Sequence, residues 1–128
     1  LLLHIGDIMH RGDEIPQVTE DATLAEALME MSKKGMGMTA IVDRAGRVAG
    51  IYTDGDLRRT LDRGIDIRHS RVSEVMTRGC ITASADLLAA EALKIMEEKK
   101  INGLLLLDSE KILIGALNMH DLLRAGVM

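Results

Sequence analysis

Hydrophobic and polar positions follow one pattern that is written twice along the chain. Leu24, Ala27, Leu28 and Met31 recur at i, i+3, i+4 and i+7, which is one face of an α-helix. Thr23-x-x-Glu26 in front of them is a capping box, and Gly35 behind them is a helix stop. Met38 to Val42 reads as a buried strand, Asp43-Arg44-Ala45-Gly46 as a turn, and Arg47 to Tyr52 as the returning strand. A helix from Asp54 to Arg63, ended by Gly64, closes the unit. Upstream, residues 5–9 read as a short helical turn. Ile15-Pro16-Gln17-Val18 reads as extended, because the residue before proline avoids the α region.

The second copy repeats this order. Ser73-Glu74-Val75-Met76 matches Gly6-Asp7-Ile8-Met9, and Thr77 to Ala85 reads as a loop. Ala89, Ala92, Leu93 and Met96 take the helix-face positions. Leu104 to Leu107 and Ile112 to Leu117 form the hairpin around Asp108-Ser109-Glu110, and Asp121 to Ala125 is the closing helix before Gly126. The offset is 67 residues for the N-terminal turns and 65 from the first long helix onward. The pattern predicts an α/β chain of two β-α-β-β-α repeats: 1–64, a linker at 65–71, and 72–128. A unit this small buries little surface alone. The two are therefore expected to pack together about an approximate two-fold axis.

Composition narrows the functions open to this design. Hydrophobic residues make up 47% of 128, which argues for a folded chain. Phe and Trp are absent and Tyr52 is the single aromatic, so the core is aliphatic with nine methionines as fillers. A net charge of −4 and the lack of aromatics argue against a nucleic-acid surface. The single cysteine, Cys80, precludes an intrachain disulfide and fits a cytoplasmic setting. Leu1-Leu2-Leu3 is too short for a signal-peptide core, and no run is long enough to span a membrane. The chain begins without Met inside an apolar pattern and reads as a piece of a longer protein.

Candidate chemistry concentrates where each hairpin meets its closing helix, at Thr53-x-x-Asp56 and Asn118-x-x-Asp121. One reading is structural: Thr53 and Asn118 are N-caps, and an acid in the first turn suits the helix dipole. The other is a ligand site. Free backbone N–H groups at the helix start suit a phosphate. A carboxylate three residues on can accept hydrogen bonds from both ribose hydroxyls. An apolar strand edge at Gly37-Met38-Thr39 can take a base. His10 and His120 lie at equivalent edges of the repeats and read either as surface imidazoles or as contacts to an anionic ligand. Arg58, Arg59 and Arg124 read as solvated or paired with acids such as Asp62, or as reaching a phosphate or carboxylate. The four histidines show no metal-ligand spacing, and neither Cys80 nor any serine has a catalytic partner, so no metal and no catalytic residue is assigned.

The repeat, with Gly-hydrophobic-x-Thr-x-x-Asp at its last strand–helix junction, resembles a tandem pair of CBS domains. The resemblance covers nearly the whole chain. The first copy carries the motif fully, and the second has Asn118 where the motif has Thr or Ser. The resemblance implies a regulatory module that binds a nucleotide-type ligand and pairs further as a homodimer. The ligand-binding set expected is Pro16, Gly37, Met38, Thr53, Asp56 and Arg59 from the first copy, with His10, Asn118, His120 and Asp121.

The segments 1–10, Gly12-Asp13-Glu14-Ile15-Pro16, Tyr52 to Arg59 and Met119 to Val127 are similar to the C-terminal CBS pair of bacterial D-arabinose 5-phosphate isomerases. In that family an N-terminal sugar-isomerase (SIS) domain performs the chemistry of the lipopolysaccharide Kdo route. The resemblance implies that this stretch regulates and does not catalyse, with CMP-Kdo as the expected effector. An adenine-nucleotide sensor and a ligand-free structural dimerisation module are the alternatives.

Overall fold

A computed structural model describes residues 2–127 and divides the chain into two compact units. One unit is Pro16–Cys80. It contains β1 (Gln17–Thr19), α1 (Leu24–Lys34), β2 (Met38–Val42), β3 (Val48–Thr53) and α2 (Asp54–Asp62), followed by a 3₁₀ turn at Val72–Glu74. Its sheet runs β1-β2-β3, with β1 parallel and β3 antiparallel to the central β2. The capping box forms as the sequence predicts. Thr23 Oγ1 accepts from the Glu26 amide at 3.1 Å, and Glu26 Oε1 accepts from the Thr23 amide at 3.0 Å. Gly35 ends α1 at φ 67°, a left-handed position that glycine takes without a Cβ clash. The buried face of α1, Leu24, Ala27 and Met31, packs on Ile41, Tyr52, Val72 and Met76.

The other unit joins Leu1–Ile15 to Ile81–Met128. It holds 3₁₀ turns at Ile5–Asp7 and Gly12–Glu14, then β4 (Thr82–Ala83), α3 (Ala89–Lys99), β5 (Gly103–Leu107), β6 (Leu113–Asn118) and α4 (Met119–Arg124). The sheet order is β4-β5-β6, with the same mix of parallel and antiparallel pairs. Ile5 joins Ala89, Ala92 and Met96 of α3 over Leu104, Leu106, Leu117 and Leu122. The sequence predicts a loop through Thr82 and Ala83, where the structure has β4. Two residues are too few to show a period of two, and this strand exists only through its pairing with Leu105 and Leu106. Together the units give a mixed α+β protein with four α-helices and two three-stranded sheets among the described residues.

The compact units cut across the sequence repeats. The opening stretch of the second repeat packs on the first: Ile51 and Thr77 exchange backbone hydrogen bonds of 2.9 and 2.8 Å beside β3. The opening stretch of the first repeat packs on the second. There His10 and Ala116 exchange bonds of 2.8 and 3.0 Å, and the amides of Ile5 and Gly6 donate to Leu87 and Ala85. Glycines make room for these approaches. A Cβ on Gly50 would lie 2.8 Å from the Thr77 carbonyl oxygen, and one on Gly115 would strike the Met9 sulfur.

Gly50→Ala and Gly115→Ala are expected to lower unfolding stability by about 1–3 kcal/mol each, the usual effect of overpacking a close contact. Urea titrations of the two variants measure this. Unchanged midpoints would mean the segments are not held against β3 and β6.

Candidate functional site

β3 ends at Thr53 and β6 at Asn118, and each of these last strand residues is also the N-cap of the helix that follows. The Asp56 amide donates to Thr53 Oγ1 at 3.2 Å, and Asp56 Oδ2 accepts from the Thr53 amide and hydroxyl at 2.9 and 3.0 Å. In the second copy the Asp121 amide donates to Asn118 Oδ1 at 2.9 Å, and the Asn118 amide donates to Asp121 Oδ2 at 2.8 Å. Both carboxylates are buried, Asp56 at 5% and Asp121 at 9% exposure. Buried carboxylates need hydrogen-bond partners, and each aspartate spends one oxygen on the cap.

The other oxygen is also taken. Asp56 Oδ1 accepts from Arg59 Nη2 and from Thr77 Oγ1, both at 2.8 Å. Arg59 thus pairs with a nearby acid, one of the readings the sequence left open, and that acid is Asp56. Asp121 Oδ1 lies 2.8 Å from His10 Nε2, while His10 Nδ1 lies 3.0 Å from Glu14 Oε1. Burial pulls the His10 imidazole toward the neutral form. The bonds and charges of Asp121 and Glu14 outweigh it and raise its pKa above the usual 6.5. His120 is exposed and joins no hydrogen bond or ion pair among the described residues.

In the Pro16–Cys80 unit the topology gathers the predicted residues at one end of the sheet. Met38 pairs with Thr53, the Asp54 amide donates to the Gly37 carbonyl at 3.2 Å, and the Pro16 carbonyl accepts from Ala40 at 2.8 Å. His10, Asn118 and Asp121 meet in the other unit, with His120 beside them on α4. The expected apolar edge is different from the prediction. β2 is the central strand, and Met38 and Thr39 are 1% and 0% exposed. Gly37 remains half-buried. Tyr52 is fully buried, with its hydroxyl 2.8 Å from Thr60 Oγ1, so it offers no stacking surface.

A hollow of about 180 Å³ adjoins Asp56 and is lined by Arg59, Thr60, Asp62, Arg63 and Val75. Small-molecule sites usually span roughly 300–1,000 Å³, so this hollow has room for part of a nucleotide. A larger depression of about 420 Å³ sits at the other end of the same sheet, lined by Thr19, Glu20, Asp21, Val42, Asp43, Arg44 and Ala45. It contains none of the predicted residues, and chemistry points to the smaller one. Thr77 escaped the sequence reading. Its signal was its alignment with His10 in the repeat, at the 67-residue offset. Among the described residues no three His, Cys, Asp or Glu side chains are placed to hold a metal ion. No helix there is long and apolar enough to cross a membrane.

Paired capping junctions on two β-α-β-β-α units define a tandem-repeat class of fold, and sequence comparison identifies the family. The chain belongs to the CBS domain family, whose model matches residues 5–63 and 72–127. It is 57% identical over its full 128 residues to arabinose 5-phosphate isomerase KdsD of Pseudomonas aeruginosa, and it spans 39% of that protein's length. Among solved structures it resembles the CBS domain pair of protein MJ0100 in complex with 5′-methylthioadenosine and S-adenosyl-L-methionine. That match has a TM-score of 0.87 at 23% identity and covers 98% of this chain and 97% of the other. It also resembles CBSX2 in complex with AMP, with a TM-score of 0.82 at 22% identity, covering 98% and 96% of the two chains. At these identities the structural likeness shows the fold alone.

The raised pKa of His10 fixes a sign. The stability it contributes is fully present below its unfolded pKa of about 6.5 and is lost as pH rises through the folded value. His10→Ala is expected to cost about 1–2 kcal/mol at pH 5.5 and clearly less at pH 8.5. Paired urea melts at the two pH values measure the gap, and a gap that stays constant would exclude a charged His10 between the carboxylates.

Proposed function

We propose that this chain is the regulatory CBS pair of an arabinose 5-phosphate isomerase, sensing a nucleotide-type effector and biasing an attached SIS isomerase domain without catalysing the reaction itself. The observation that carries the reading is the whole-chain match to KdsD together with two buried carboxylates at capped strand–helix junctions. CMP-Kdo is the effector of choice. Its ribose hydroxyls would face the junction aspartate of one unit, and its phosphate and sugar carboxylate would face basic groups of that same unit, Arg59 and Arg78 with Asp56 or His10, Arg11 and His120 with Asp121. A ligand can bias the isomerase only by the difference in its affinity for two arrangements of the module. Association into a homodimer and a cytoplasmic setting belong to the same reading.

A second reading is an adenine-nucleotide sensor, favoured by the adenosine ligands of MJ0100 and CBSX2. A thermal-melt panel with CMP-Kdo, CMP, AMP, ATP and arabinose 5-phosphate separates the two. A ligand at 100 times its Kd adds about 2.7 kcal/mol, and the double variant Thr53→Ala/Asp56→Ala, which loses about 1–2 kcal/mol from the cap, should lose that response. Stabilisation by AMP with none by CMP-Kdo selects the adenylate sensor. Flat melts in wild type and variant alike select a structural module that binds nothing.

A further inference from the structure

Thr77 and His10 occupy the same place in the two copies and do the same thing. Each belongs to the short segment that opens a repeat, each is tied by a two-way backbone bridge to a hairpin strand, and each sets a side chain 2.8 Å from the Oδ1 of a junction aspartate. That oxygen is the one the cap leaves over, so a ribose hydroxyl would have to take it. The two occupants differ in chemistry. Thr77 is exposed and offers a neutral hydroxyl. The second group on Asp56, Arg59, is 66% exposed and can turn to water with little loss. His10 is held at both ring nitrogens by carboxylates, Asp121 on α4 and Glu14 on its own segment, with its side chain 30% exposed.

We propose that His10 is the specificity-determining residue of this module. It keeps Asp121 closed, so that only Asp56, beside the hollow at Arg59 and Thr60, exchanges its internal partner for a ligand's ribose hydroxyl. This rests on the nucleotide reading above and assigns which of the two junctions is used. The ligand class it selects carries a vicinal diol able to replace two donors, the Thr77 hydroxyl and one Arg59 N–H. Both bonds end on a carboxylate, but the protonated imidazole adds the attraction of a second, opposite charge where the threonine hydroxyl adds none, so the diol displaces threonine more readily. At the cap Thr53 Oγ1 both accepts and donates, whereas Asn118 Oδ1 only accepts.

Calorimetric titration of the 128-residue chain with AMP and with CMP near pH 6 tests this. Wild type should bind one nucleotide per chain, and Asp56→Asn should remove it. Thr77→Val should tighten binding by about 2- to 10-fold, the net weight of one exposed hydrogen bond. His10→Ala, and the milder His10→Gln, should each add a second equivalent that Asp121→Asn takes away again. Far-ultraviolet circular dichroism checks that each variant is folded. One equivalent in wild type and in both folded His10 variants overturns the gate and leaves the nucleotide reading intact. Two equivalents in wild type, or one that survives Asp56→Asn, overturns it as well. No binding of either nucleotide in any variant overturns both.

Discussion

The carboxylate three residues past each strand end is the constraint on which the rest depends. At Asp56 and Asp121 one side chain performs two tasks. One oxygen closes the capping box that turns a strand into a helix, and the other reaches back to a residue of a different segment. A buried carboxylate left with open lone pairs is costly, so each junction requires its partner segment to be in place. The cap thus links a local event, starting a helix, to a long-range one, seating Thr77 on β3 or His10 on β6.

That link explains the exchange of segments. Each hairpin leaves the outer strand, β3 or β6, with unpaired backbone groups, and a one-residue bridge from the exchanged segment satisfies part of them. Gly50 and Gly115 allow the approach by lacking a side chain. In the same units Ile5 and Val72, each fully buried, anchor the 3₁₀ turns beneath the long helices. Neither repeat is closed by its own sequence alone, because the residue that completes each carboxylate is contributed by the opening stretch of the other copy.

The proposed function follows from the same arrangement. The groups that hold the junction together are those a sugar hydroxyl would replace, so a sensor of this kind exchanges internal for external hydrogen bonds. It needs neither a preformed empty cavity nor an aromatic platform. Tyr52, the one aromatic, is consumed in the core, bonding Thr60, whose hydroxyl in turn donates to the Asp56 carbonyl at 2.8 Å. The small hollow beside Asp56 is consistent with the proposed exchange of partners there.

Much of this was legible in the sequence because it is local. Thr23-x-x-Glu26, Thr53-x-x-Asp56 and Asn118-x-x-Asp121 name helix starts within four residues, and Leu24, Ala27 and Met31 name a buried face through their spacing. The duplicated junction also carried the family. Contacts across long separations were not legible. The bond between His10 and Asp121 spans 111 positions and that between Thr77 and Asp56 spans 21, and neither leaves a periodic trace. β4 was invisible for the same reason, being a strand only through its neighbour. By itself the sequence determined the elements, the repeat and the junction carboxylates, because capping and amphipathic periodicity act over one or two turns. Only the tertiary structure decided which segment completes each carboxylate and that β2 is central and closed, because pairing between distant strands depends on where the chain returns.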